Sequence, residues 1–344
     1  MAVPTNIFID TCIFEQTGFN FESAKLKPFR DALNEMKLTF IDPDPTFRER
    51  TRHLQERVDE AVKSLEKIEK SLPIITKLDK WPKASTFRNW EIKGLVNKSL
   101  MEFLKPMNHV KVGYDGIDMH KVMTWYDKGQ APFGKGKKSK EFPDALAVAI
   151  LDRYALRNSC EIAVISTDED FERACAERTS LLYFHSLAAY LQIHQGETER
   201  VKLVHKWFEE TPDVLDEWVS NAFAEIDFEI SEGWKGDLHF EQVDEVNISN
   251  LYVVAVADKE CTVSFDAEIC FSVYGDYDKE SELEYDDHDG EPIGYHHVQT
   301  SISSAENTSG LAKIKLDSSA SKVESVICVD LDILAALVSV ENAW

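Results

Sequence analysis

The chain has 344 residues, 43% of them apolar, which suffices for packed cores in two or three domains. Its formal charge of −24 is unevenly spread: residues 201–344 hold 8 Lys, no Arg and 32 acidic side chains, whereas residues 1–200 carry 30 charges of each sign. The C-terminal part therefore repels phosphate and is excluded as a nucleic-acid surface, while the neutral N-terminal part can still offer local basic patches.

The same charge break predicts a domain boundary near residue 200. Six cysteines (Cys12, Cys160, Cys175, Cys261, Cys270, Cys328) form no CxxC pair. No charged-then-apolar leader opens the sequence, and no apolar run approaches about 18 residues. The expectation is a reduced, cytoplasmic protein without membrane contact.

In chain order, Ile7-Phe8-Ile9 runs apolar into Asp10, the pattern of a buried parallel strand with an acid at its C-terminal end. Residues 21–36 read as a loosely amphipathic helix, and Leu38–Ile41 as a strand stopped by Pro43 and Pro45. Helical periodicity then runs to about Ser71 through Leu54, Val58, Val62, Leu65 and Ile68. A further helix is expected over about 84–104, after the breaks at Pro73 and Pro82. Residues 128–140 are a loop rich in Gly and Lys, and Pro143 opens a helix through Leu156. Glu161–Ile165 is another strand, ending in Ser166-Thr167-Asp168-Glu169-Asp170. A helix follows, and Leu181–Phe184 makes one more strand. Strands alternating with helices predict an α/β fold on a mostly parallel sheet.

Residues 197–225 read as helical and as a bridge between domains. From about 227 the texture changes: Phe228–Ile230, Leu251–Ala257, Thr262–Tyr274, Val298–Ile302, Leu311–Leu316 and Val323–Val329 have strand length and are separated by Gly, Asp, Asn and Ser. That pattern predicts an antiparallel sheet or sandwich.

Four acids stand out: Asp10, Glu49, Asp144 and Asp168. Asp10 and Asp168 end apolar strands, so a parallel sheet places both at its carboxyl edge, where α/β folds build their sites. Glu49 comes early in the long helix. Asp144 lies in the first turn of its own helix, where the dipole favours the anion. Carboxylates gathered at one edge raise one another's pKa values unless a cation neutralises them. Oxygen donors without His or Cys suit Mg²⁺ or Mn²⁺.

Phe8-Ile9-Asp10-Thr11, Pro45-Thr46-Phe47-Arg48-Glu49, Lys137-Lys138-Ser139-Lys140-Glu141-Phe142-Pro143-Asp144-Ala145 and Val164-Ile165-Ser166-Thr167-Asp168-Glu169-Asp170-Phe171 together resemble the motif series of PIN-domain nucleases. The likeness is to a bacterial subfamily with a Lys-rich loop followed by Glu-Phe-Pro-Asp-Ala, and it covers residues of about 5–190. It implies an α/β, PIN-like, mostly parallel sheet flanked by helices. It also implies a Mg²⁺- or Mn²⁺-dependent nuclease, usually acting on RNA, with Asp10, Glu49, Asp144 and Asp168 as metal-binding acids. Thr11, Glu141, Ser166, Thr167 and Asp170 would support them. Lys137, Lys138, Lys140, Arg48 and Arg52 would hold the RNA backbone. The same resemblance extends to toxin or antiviral-defence settings. Two features depart from the pattern: Cys12 stands where many members carry a small polar residue, and residues 50–125 exceed what a minimal domain needs.

The resulting division is a nuclease-like domain over 1–192 with a helical insertion at about 50–125, a helical linker over 193–227, and an acidic β-rich domain over 228–344. The last is expected to regulate the first, to bind a protein partner, or to support a homo-oligomer.

Simpler roles exist for each residue. A strand-ending Asp often only caps the next helix. Glu49 has Arg48, Arg50 and Arg52 as ion-pair neighbours, with Glu56 as a substitute acid. Trp81, Trp90 and Trp125 are candidates for base stacking or for plain packing. His296-His297 lacks a third ligand at matching spacing, and Tyr285–Glu291 lacks a calcium-loop pattern. The alternative to an enzyme is a catalytically silent scaffold for protein–protein interaction.

Overall fold

The computed structural model describes residues 3–77, 88–133, 142–230, 235–280, 295–317, 319–333 and 335–338. The Lys-rich loop with Lys137, Lys138, Lys140 and Glu141 lies outside them, as do Trp81 and the acidic stretch 285–291. The chain forms two compact units, Met1–His194 and Gln195–Trp344.

The first unit runs β1 (Asn6–Ile9), α1 (Thr11–Glu15), α2 (Lys27–Met36), β2 (Thr39–Pro43), α3 (Asp44–Ser71), a 3₁₀ turn (Pro73–Lys77), α4 (Asn89–Leu104), β3 (Asn108–Val112), α5 (Met119–Lys128), α6 (Phe142–Asn158), β4 (Ile162–Ile165), α7 (Glu169–Ala176), β5 (Leu181–Phe184) and α8 (Leu187–Gln195). Its sheet has the order β3-β2-β1-β4-β5, and every pairing is parallel. Ile7, Phe8, Ile9 and Ile162–Ile165 are completely buried, as expected where helices cover both faces of a parallel sheet. Phe8, Ile41 and Val164 pack with Val148 and Leu151 of α6 and Phe171 of α7. Because the strands are parallel, their C-terminal ends share one edge. The segments after β1, β2 and β4 therefore leave the sheet together.

Two sequence expectations are corrected here. The helix expected over 21–36 begins only at Lys27, with Pro28 in its first turn, because residues 16–26 turn back on themselves through Gly18 and Phe19 at positive φ. The insertion over about 50–125 is not wholly helical, since β3 interrupts it as an edge strand paired to β2. Its residues are half-buried or exposed, so it lacks the apolar run that marks the central strands.

The second unit runs α9 (Glu199–Glu210), α10 (Asp213–Ala224), β6 (Asp227–Ile230), β7 (Lys235–Val256), β8 (Glu260–Glu280), β9 (Tyr295–Leu316), β10 (Val323–Leu331) and β11 (Ala335–Val338). The sheet β10-β9-β8-β7 is antiparallel, and β6 pairs separately with β11 in parallel. The two short strands read at 298–302 and 311–316 are one continuous strand. The polar segment between them, which includes Glu306, Asn307 and Thr308, keeps its register with β8. Phe265 lies directly opposite Gly310, and a Cβ at that glycine would meet its ring at 2.3 Å. The helices expected as a linker over 193–227 are instead part of this unit. Val201, Val204 and Phe208 of α9 and Leu215, Val219 and Phe223 of α10 share a core with Val263, Phe271 and Ile314 of the sheet.

Candidate active site

Asp10 follows β1 directly and caps α1, accepting from the Thr11 backbone N–H at 2.7 Å. Its second oxygen, Oδ2, accepts from Ser166 Oγ at 2.7 Å and from Cys12 Sγ at 3.0 Å. Ser166 is fully buried after β4, and its Oγ also accepts the Asp168 N–H at 3.0 Å. The Ser166 hydroxyl, 156 residues from Asp10 in sequence, thus ties the first acid to the backbone of the fourth. Asp168 caps α7 by accepting the Asp170 N–H at 2.7 Å. For both strand-ending acids the capping role and the site role coexist, because each cap uses only Oδ1.

Glu49 stands in the second turn of α3, and Thr11 Oγ1 approaches its Oε2 at a loose 3.4 Å. Asp144 lies in the first turn of α6. Since α6 leads into β4 and runs against the strands, that turn is at the carboxyl edge.

Ionisation of the site is governed by burial. Asp10, only 6% exposed, is pushed above the ordinary carboxylate range by desolvation and further by the negative charge of Asp168; its three hydrogen bonds act the other way. Glu49 is raised by burial and then by Asp10, against His53, Thr11 and Arg52. Asp168 is raised by burial, with Arg173 opposing. Burial and the neighbouring Asp10 push the Cys12 thiol up to about 12.

The structure therefore brings Asp10, Glu49 and Asp168 within electrostatic reach at one edge, with Thr11 and Ser166 beside them. Among the described residues, however, no group of three or more His, Cys, Asp or Glu side chains converges tightly enough to hold an ion. The donor chemistry, carboxylates and hydroxyls around a buried acid, fits a hard divalent cation. The close convergence expected of a four-carboxylate site is not present among them.

The remaining expected residues divide. Thr167 accepts from Gln16 Nε2 at 2.7 Å, while Asp170 forms an ion pair with Arg173. Arg48 is exposed and pairs with Asp44 at 2.6 Å, and Arg52 approaches Glu56 at 3.8 Å, so the substitute acid Glu56 is an outward helical partner. Trp125 is buried with the Arg178 guanidinium 4.5 Å from its ring, which makes it a packing residue; Trp90 is exposed on α4.

Two residues, His53 and Gln16, escaped the sequence reading, and a third, Arg50, read there as an ion-pair neighbour of Glu49, pairs elsewhere. His53 pairs with Glu15 at 2.6 Å and, one turn after Glu49, was findable from helical spacing. Gln16 carried no such signal. Arg50, adjacent to Glu49, is completely buried and ion-paired to Asp42 at 2.7 Å, and Asp42 also meets His109 at 2.8 Å. The guanidinium lies against the rings of Phe14, Phe40 and Phe47. The place of Arg50 four residues before Leu54, on the stripe of Leu54, Val58 and Val62, separates it from the exposed Arg48 and Arg52.

Fold and site define a parallel α/β domain with an acidic site at the carboxyl edge of its sheet. Residues 7–171, just under half of the chain, match the family model of the PIN domain. PIN domains are generally nucleases. No curated relative and no solved structure matches the chain.

Proposed function

We propose that the N-terminal unit is a Mg²⁺- or Mn²⁺-dependent endoribonuclease. The observation that carries this reading is the buried Asp10 carboxylate, joined through Ser166 to Asp168 and electrically coupled to Glu49 at the carboxyl edge. A carboxylate held there against desolvation, with other carboxylates as neighbours, gains from a cation. Asp10, Glu49, Asp144 and Asp168 would hold it. The ion would supply Lewis acidity and neutralise charge at the scissile phosphate.

The other residues act through position. Ser166 and Thr11 hold Asp10 in one orientation. Lys137, Lys138 and Lys140, with Arg48 and Arg52, would contact the RNA backbone, where cationic side chains supply most of the affinity. The α3–α4 pair shapes the approach, with a cavity of about 890 Å³ lined by Phe19, Leu54, Val58, Ile92 and Phe103. The acidic second unit would bind a protein partner or a second copy, or restrain cleavage by repelling RNA. A toxin or antiviral-defence setting rests on the family resemblance alone. None of the helices described is long and apolar enough to cross a membrane.

The test is cleavage of labelled RNA and DNA with Mg²⁺, with Mn²⁺ and with chelator, using wild type, Asp10→Asn and Asp144→Asn. Metal-dependent RNA cleavage lost in both variants is the expected outcome, with a loss of at least about a hundred-fold. A folded protein that cuts nothing under these conditions would instead be the silent interaction scaffold, the reading favoured by the loose spacing of the acids.

A further inference from the structure

Arg153 and Arg157 stand one turn apart on α6, the helix whose first turn holds Asp144. Both guanidinium groups lie over Gly116, in the turn that follows β3. A Cβ on that residue would sit 2.7 Å from Arg157 Nη2 and 3.5 Å from Arg153 Nη1, and its φ of +74° is one that glycine adopts freely. Arg153 Nη2 donates to the Gly113 carbonyl at 3.0 Å. Its Nε and Nη1 are shielded from solvent and have no hydrogen-bond partner among the described residues. Neither arginine has an ion-pair partner among those residues.

Like charges at this helical spacing repel. The helix dipole accounts for one cation in the last turn, and so for Arg157. It does not account for Arg153, whose unsatisfied donors sit beneath a second guanidinium. Burial and the Arg157 charge both disfavour its protonated form, and only Asp115 opposes them. Asp115 makes no ion pair with either arginine among the described residues. The spare donors of Arg153 beside a second guanidinium therefore suit an anion with several acceptor oxygens, and phosphate matches that fork geometry.

We propose that Arg153, Arg157 and the turn at Gly113–Gly116 form a phosphate-binding site that holds a phosphodiester of a single RNA strand. The proposal rests on the nuclease reading, because the turn at Gly113–Gly116 follows β3, whose C-terminal end lies at the same carboxyl edge as the acids. Asp144 and Arg153 are nine residues apart and face opposite sides of α6, so the strand would reach the arginines across that turn. Arg157 is exposed, so it is free to swing and clasp the phosphate against Arg153.

The experiment measures fluorescence anisotropy of labelled single-stranded RNA oligonucleotides with the full chain across a salt series. Chelator is present throughout, so the strand stays intact whatever the metal does. Arg157→Gln is expected to weaken binding about five-fold or more, equally for unrelated sequences, and to reduce the salt slope by about one. Arg153→Lys/Arg157→Gln should weaken it further. Unchanged affinity and slope in both variants overturn the proposal. So does inorganic phosphate binding that the variants abolish while RNA affinity stays the same, since the site would then take a free anion. Absence of RNA binding by the wild type overturns it as well. If the double variant loses its thermal transition, Arg157→Gln alone decides. The nuclease reading falls separately, on absence of cleavage when metal is supplied.

Discussion

Asp10 receives three hydrogen bonds, and each of them favours the ionised carboxyl, yet burial outweighs them. The sign of the pH effect follows. A carboxyl whose pKa is higher in the folded than in the unfolded chain contributes stability while protonated, and that contribution is lost as pH rises through its folded value. Asp10, Glu49 and Asp168 all shift upward, so at neutral pH without a cation they destabilise the fold. Asp10→Asn should therefore melt higher than wild type at pH 7.5 in chelator, by on the order of 2–4 °C. The gap should narrow toward pH 5. Added Mg²⁺ or Mn²⁺ should raise the melting temperature of wild type more than that of the variant. Calorimetry over pH 5–8 checks this, and a variant that melts lower at pH 7.5 in chelator would refute it.

At the scale of elements, α3 carries both Glu49 and the residue that anchors it. Arg50 reaches from α3 to Asp42 on β2 and rests on Phe14 of α1, the helix that Asp10 caps. The pair thus links the three elements on which the first two acids depend. One Asp42 oxygen and two Arg50 nitrogens have no hydrogen-bond partner among the described residues, so the arrangement is incompletely satisfied there. Removing Arg50 leaves the buried Asp42 carboxylate with His109 as its remaining side-chain partner among the described residues, at a cost of up to about 3–5 kcal/mol. Arg50→Met should show a loss of that size in urea unfolding. Arg50→Met/Asp42→Leu should recover part of it, because replacing both charges with apolar groups is far less costly. A single variant as stable as wild type would show that the pair does not anchor the helix.

At the scale of the molecule, the boundary at His194 matters for any separation of the two units. Cutting at residue 227 would strip α9 and α10 from the sheet they cover and expose Val204, Val219 and Phe223, all completely buried. A fragment of residues 1–194 should stay monomeric and soluble, whereas 1–227 should aggregate through that apolar face. Size-exclusion chromatography of the two fragments tests this. If the acidic unit restrains cleavage, residues 1–194 should also cut RNA faster than the full chain, and equal rates would remove that role.

How much of this was legible beforehand depended on how local the signal was. Short apolar runs ending in Asp gave β1 and β4, and Asp10, Ser166 and Asp168 with them, because a buried parallel strand must be apolar and its end must turn. The long periodic helix placed Glu49 for the same reason. The half-exposed edge strand β3 lacks such a run, and the polar segment within β9 is held in strand form by its partner β8. Neither carries its cause in its own residues. The sequence by itself determined the α/β and β-rich units, the acid edge and the charge divide, since periodicity and composition act locally. Only the tertiary structure decided that α9 and α10 complete the second core, that Arg50 meets Asp42 of β2, and that two arginines on α6 share one glycine turn. Those outcomes depend on which surfaces meet, and sequence spacing does not encode that.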